Sequence, residues 1–111
     1  MKILRVGNLD VLLDDWDWLC QCGYKWRLKD NGTGHKSVVR TKRIKGACRT
    51  IYMHREIMDT PKDMEVHHKK IYGDAIDNRK ENLENLTKSE HSMKIGEYFE
   101  TYKQQSIQIV A

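Results

Sequence analysis

The sequence predicts an α+β chain: a small antiparallel three-stranded sheet followed by a strand–loop–strand–helix unit. Three observations carry this expectation. The stretch "YKWRLK" (24–29) alternates, with Tyr24, Trp26 and Leu28 on one face and Lys25, Arg27 and Lys29 on the other. "KSVVRTKR" and "CRTIYM" follow it as further strands, separated by the turns "DNGTG" and "IKGA". Beyond the sole proline, Pro61, the pattern changes: "MEVHH" and "NLENLT" read as short strands, and "TKSE" reads as a capping box that opens a helix.

A chain of 111 residues fits one domain, or two very small modules. The joint at Pro61 divides it into 1–60 and 61–111. Hydrophobic residues make up 39% and charged residues 32%, enough for a modest core. No apolar run approaches the roughly 20 residues of a membrane helix. Acids interrupt "MKILRVGNLDVLLDD" too early for the apolar region of a signal peptide. A soluble, cytoplasmic protein with no membrane partner is expected. Cys20, Cys22 and Cys48 do not match the half-sites of zinc modules, and read as free thiols in a reducing compartment.

The remaining elements follow in order. "ILRV" and "DVLL" are short apolar strands around the turn "GNLD". "DDWDWLCQC" predicts a short helix with an acidic start, its core face formed by Trp16, Leu19 and Cys20. Trp16, Trp18 and Trp26 are all expected in the core rather than as stacking platforms for bases. "HREIM" closes the first half as a one- to two-turn helix. "KKIYGDAIDNRKE" reads as a long polar loop. In "NLENLT" Leu83 and Asn85 point inward. Thr87 caps the last helix with Glu90 as its reciprocal partner, and Ile95, Tyr98, Phe99 and Tyr102 follow at helical spacing. "QQSIQIVA" reads equally as a frayed end or an added strand.

Charge is concentrated. Residues 21–56 carry ten Lys or Arg against only Asp30 and Glu56, a net of +8, whereas 1–20 and 57–111 are each −2. A block this basic is the footprint of a phosphate-backbone binder, and a small sheet can enter the major groove of DNA. Double-stranded DNA is the expected partner. Lys25, Arg27, Lys29, Arg40, Lys42 and Arg49 are the candidate contacts. Arg55 is placed either on phosphate or against an acid such as Glu56 or Asp59. His54 reads as a packed or hydrogen-bonded histidine.

Three of the five histidines stand apart. His67 and His68 end one predicted strand, and His91 opens a helix that must pack back across both strands to bury Ile95 and Phe99. That packing brings His91 toward the pair. Two imidazoles on a divalent metal, with a third neutral imidazole free to take a proton, make a hydrolytic site. Adjacent strand residues point to opposite faces, so serving one phosphate requires the strand to end or bend at His67–His68.

"VHH", then "DNRKENL", then "TKSEH" resembles the HNH motif of the ββα-metal endonucleases, over residues 64–100. The first half, with "DDWDW", "YKW" and "YMHREIM", is similar to the N-terminal region of phage and intron-borne HNH endonucleases and to the three-stranded DNA-binding domains of plant transcription factors. The resemblance implies a three-stranded DNA-binding module followed by a ββα-metal nuclease module, of phage or mobile-element origin. It implies His67 and His91 as ligands of one divalent metal ion (Mg, Mn, Zn or Ni), His68 as the general base, and Asn82 as the residue that hydrogen-bonds within the loop and holds the base in orientation. Asp77, Asn78 and Arg79 match the loop signature, and Arg79 joins the candidate DNA contacts. The loop is somewhat longer than is common in the family, and neither ligand position holds a carboxylate, which makes the donor set softer. The implied chemistry is phosphodiester hydrolysis to 5′-phosphate and 3′-hydroxyl ends, on one strand for a monomer or two for a dimer. A non-catalytic DNA-binding regulator is the main rival, and a structural zinc module a third.

Overall fold

β1 (Lys2–Val6) and β2 (Leu9–Leu13) form the expected hairpin, with Val6 opposite Leu9 and Leu4 opposite Val11. The computed structural model describes residues 1–30 and 35–94. The turn predicted at 31–34, the helix face of Ile95, Tyr98, Phe99 and Tyr102, and "QQSIQIVA" lie outside the described residues. Gly7 turns the hairpin at φ +57°, and a Cβ there would also press on the Leu28 side chain at 3.2 Å.

α1 (Asp15–Gln21) is the expected short helix, but its inward face is not the expected one. Trp16 and Leu19 are 70% and 61% exposed, and Cys20 is exposed with them. Asp17, Trp18 and Gln21 turn inward instead. Polar ties set this rotation. Asp14 accepts a hydrogen bond from the Lys80 amide, Asp17 lies 3.9 Å from the Lys80 ammonium, and the Gln21 carbonyl accepts the Trp26 indole N–H at 2.7 Å. Trp18 and Trp26 pack on the core as expected, whereas Trp16 does not.

β3 (Arg27–Asp30), β4 (Lys36–Ile44) and β5 (Ala47–Tyr52) make the expected antiparallel three-stranded sheet. Lys45 and Gly46 join β4 to β5 with φ of 49° and 80°, the pair of positive values that a two-residue hairpin turn prefers. α2 (Met53–Ile57) follows β5 directly and buries Met53 and Ile57. β6 (Met64–His68) then pairs with β8 (Leu83–Thr87). A helix, α3, is described from 88 to 94. Its capping box forms as predicted: the Glu90 amide donates to Thr87 Oγ1, and the Thr87 amide donates to the Glu90 carboxylate.

The expected architecture, a three-stranded module followed by a ββα-metal module, does not hold. The described residues are dominated by strands, 47% against 24% helix, in three separate small sheets, and a ββα-metal module needs more helix. β7 (Ala75–Asp77) lies inside the stretch predicted as a loop, and it leaves β6 and β8 to pair in parallel with β2, Ile76 beside Val11. A three-residue strand whose apolar residues are only half-buried and whose buried residue is Asp77 gives no period-2 signal, so the polar surroundings of Ile76 hid it. Backbone pairing therefore crosses the expected joint at Pro61. A 3-10 turn at Lys80–Asn82 leads into β8.

One core joins the sheets: Val6, Val11, Leu13, Val38, Met53, Ile57, Val66 and Leu83, with Trp18, Trp26, Leu28 and Ile76 against it. Met53 is fully buried where α2 meets this cluster. Met53→Ala is expected to destabilise the fold by about 2–5 kcal/mol, read as a lower urea midpoint with an unchanged slope.

Candidate active site

The histidines sit on a strand whose two faces do different work. β6 stays paired with β8 through its last residue, His67 opposite Glu84 and His68 opposite Leu83. Of the two alternatives expected there, the strand ends at His68 and does not bend between the two histidines. His67 and Glu65 therefore share one face, toward α3, and His68 shares the other with Val66, toward α2.

On the α3 face, His67 and His91 meet edge to face, ring centroids 5.3 Å apart at 68°. His91 Nδ1 is 2.5 Å from the Glu65 carboxylate. This bond fixes the ring and leaves Nε2 as its free nitrogen, the arrangement typical of ligating imidazoles. Burial, reinforced by the positive charge available to His91, lowers the His67 pKa and favours its neutral form. Glu84, across the ladder, works in the opposite sense.

On the other face, His68 Nε2 lies 2.8 Å from Asn78 Oδ1. The amide oxygen accepts, so Nε2 carries the proton and Nδ1 the lone pair. Burial lowers the pKa of His68, while the Asn78 bond and the nearby Asp77 carboxylate raise it part of the way back. His91 also acts electrostatically on His68, as His68 does on His67, so the imidazoles share one neighbourhood although they divide into two groups.

His54 packs edge-on to His68, centroids 5.4 Å apart, and touches the Tyr52 ring at 5.7 Å. Burial first, then the charges of His68 and Arg55, push its pKa down to about 3. It is the packed histidine that the sequence suggested. An unfolded His54 would take a proton near pH ~6.5, whereas the folded one resists it. Folding stability should thus be complete above that value and fall as pH drops through the window to about 3. Between pH 6.5 and 5 the wild type should lose up to about 2 kcal/mol relative to His54→Phe. Parallel declines in urea titrations of both proteins would assign the acid loss to other groups.

Asn82 acts on the loop and not on the base directly. Its Oδ1 accepts the Lys70 amide at 2.8 Å, and its Nδ2 donates to the carbonyls of Lys70 and Asp77, both at 3.0 Å. One side chain thus fastens both ends of the 70–77 excursion. Orientation of His68 falls to Asn78, which is 1% exposed. Asp77 accepts two side-chain bonds and one backbone bond from Arg79. These hold its carboxyl below the usual range.

The candidate DNA contacts separate. Lys25, Arg27, Lys29, Lys42 and Arg49 are exposed as expected. Arg40 is not: it is 7% exposed, paired with Glu56 at 2.7 Å, and stacked 3.9 Å from the Tyr24 ring. Its parity on β4 matches Val38, which turns it toward the interior. Arg55 is half-buried and donates to the carbonyls of Met64 and Pro61, clasping the chain there. Arg79 is committed to Asp77 and Glu81.

Sequence reasoning passed over Glu65, gave Asn78 only as part of the loop signature, and gave His54 only as a packed or hydrogen-bonded histidine. Glu65 was legible, since it precedes His67 by two positions on a strand. The roles of Asn78 and His54 depend on β7 crossing to β2 and on how α2 packs.

No group of three or more His, Cys, Asp or Glu side chains among the described residues is arranged to hold a metal ion. His67 and His91 fit one as a two-imidazole set, with a neutral donor on β6 and a carboxylate-anchored donor on α3. The remaining positions would fall to water and substrate oxygens. No helix among the described residues is long and apolar enough to cross a membrane.

No family model, curated protein or solved structure matches the chain.

Proposed function

We propose that this chain is a metal-dependent DNA endonuclease with HNH-type chemistry, hydrolysing a phosphodiester to 5′-phosphate and 3′-hydroxyl ends. The observation that supports this reading most is the meeting of His67 with a Glu65-anchored His91 on one face of β6, with His68 on the other face bonded to Asn78 and within electrostatic reach of His91. His67 and His91 would hold the divalent ion, which when bound supplies a Lewis acid for the phosphate and leaving-group oxygens.

The chain's own residues supply the proton chemistry. Neutral His68 takes a proton from the attacking water at Nδ1. The imidazolium so formed keeps its Nε2–H on Asn78 Oδ1 and lies near the ionised Asp77, which Arg79 holds in that state. Asn82 keeps the loop that carries Asp77 and Asn78 closed against β6.

Incubation with supercoiled plasmid and Mg²⁺ or Mn²⁺ tests the reading. Nicked or linear product that disappears with chelator is expected. Tight DNA binding without any cleavage, across Mg²⁺, Mn²⁺, Zn²⁺ and Ni²⁺, would favour a DNA-binding regulator instead.

A further inference from the structure

The sheet β3–β4–β5 has two faces, and its register sorts the basic residues between them. Residues directly opposite one another in an antiparallel ladder share a face. Arg27 stands opposite Val39, and Val39 opposite Tyr52; Thr41 stands opposite Thr50, and Arg43 opposite Cys48. The side chains agree: Arg27 donates to Thr41 Oγ1, and the Lys29 ammonium reaches the Tyr52 hydroxyl, each at 2.8 Å. Arg27, Lys29 and Arg43 thus lie exposed on one face, and no strand position there, among the described residues, carries a carboxylate. Lys42 and Arg49 stand opposite each other on the other face, which Arg40 and Glu56 share.

Among the described residues, ring contacts join the first face to His68. Tyr52 belongs to it, the Tyr52 ring touches His54, and His54 touches His68. From the level of Arg27 to Arg43 is four residues of β4, about 13 Å at strand rise, on the order of four base steps of duplex DNA.

We propose that double-stranded DNA lies along the Arg27–Lys29–Arg43 face, continuous with the His68 site, and not along the Lys42–Arg49 face. The proposal rests on the nuclease reading for what happens at His68, but the binding itself is measured without cleavage. Charge complementarity and continuity with the histidine site select this occupant.

Cys48 lies on the proposed face beside Arg43, whereas Cys20 and Cys22 lie at α1, and all are exposed free thiols. Alkylation of the wild-type protein in chelator, with and without a short DNA duplex, uses them as internal reporters. At a duplex concentration about ten times Kd, Cys48 alkylation should slow about tenfold while Cys20 and Cys22 keep their rates. An unchanged Cys48 rate at saturating duplex overturns the proposal. A second measurement uses charge removal. The variant R27Q/K29Q/R43Q should lower the slope of log K against log salt by about 0.9 per lost phosphate contact, and K42Q/R49Q should leave it unchanged. The reverse pattern, or no change in either, also overturns it. Failure of plasmid cleavage alone would defeat the nuclease reading and leave these outcomes as they stand.

Discussion

His68→Ala is expected to bind duplex DNA as the wild type does and to cleave it roughly 10²–10⁴-fold more slowly, the usual worth of a placed general base. That range corresponds to about 2.7–5.4 kcal/mol of barrier. The structure gives physical reasons for so large an effect at one ring. Burial keeps His68 neutral and so able to accept a proton. Asn78 fixes which nitrogen accepts. His54 packs against the ring at a steep angle. Single-turnover cleavage beside an anisotropy binding curve separates the two quantities. Cleavage at the wild-type rate would remove His68 from the role of base, and weakened binding would show that its ring supports the fold or the DNA contact instead.

Loss of either imidazole on the α3 face should be as damaging, but through the ion. If His67 and His91 are the protein donors, as proposed, His67→Ala or His91→Ala leaves one of the two, and cleavage should fail at metal concentrations that saturate the wild type. Glu65→Gln offers a graded comparison. It keeps both donors and weakens the anchor of His91, a change that costs about 10–100-fold in metal affinity or activity for such outer partners. The expected order of metal requirement is wild type, then Glu65→Gln, then the two alanine variants. Activity of Glu65→Gln restored by added metal, with the alanine variants still silent, is the pattern that separates anchoring from ligation. Equal metal curves for all four proteins would dissociate this face from the ion.

Much of the strand structure was legible, because alternation survives in β3, β4 and β5 and turn residues separate them. The Thr87–Glu90 cap was legible because its residue types and spacing are nearly self-sufficient. The face of α1 was not. Its three outward residues include the bulky Trp16 and Leu19, and hydrophobicity alone points them inward. Their orientation is set by Asp14 and Asp17 reaching Lys80, a contact across 66 residues that no local pattern encodes. β7 was hidden for a similar reason, since its partner β2 is more than 60 positions away and its own apolar content is one alanine and one half-buried isoleucine.

The histidines show the same division. Strand parity separates His67 from His68, and the ladder with β8 keeps that parity through His68. His91 meets His67 from the first turn of α3; the apolar positions whose spacing suggested a helix packing back across the strands lie outside the described residues. What could not be read was the second group around His68. His54 arrives from α2 and Asn78 from the end of β7, and both depend on packing between halves of the chain. Arg40 illustrates the converse error. A lysine- and arginine-rich strand looks uniformly solvent-facing, yet parity with Val38 and the Glu56 carboxylate draw this guanidinium inside.

In the proposed site His67 and His91 ligate one ion while His68, on the other face of β6, stays unligated. Long-range ¹H–¹⁵N spectra of the imidazole rings, recorded during a Zn²⁺ titration of the full chain, measure this directly. Signals of His67 and His91 are expected to move together and saturate at one equivalent, while His68 keeps its proton on Nε2 and an unligated Nδ1. Zinc-dependent shifts at His68 with none at His91, or no shift at any of the rings, would contradict it.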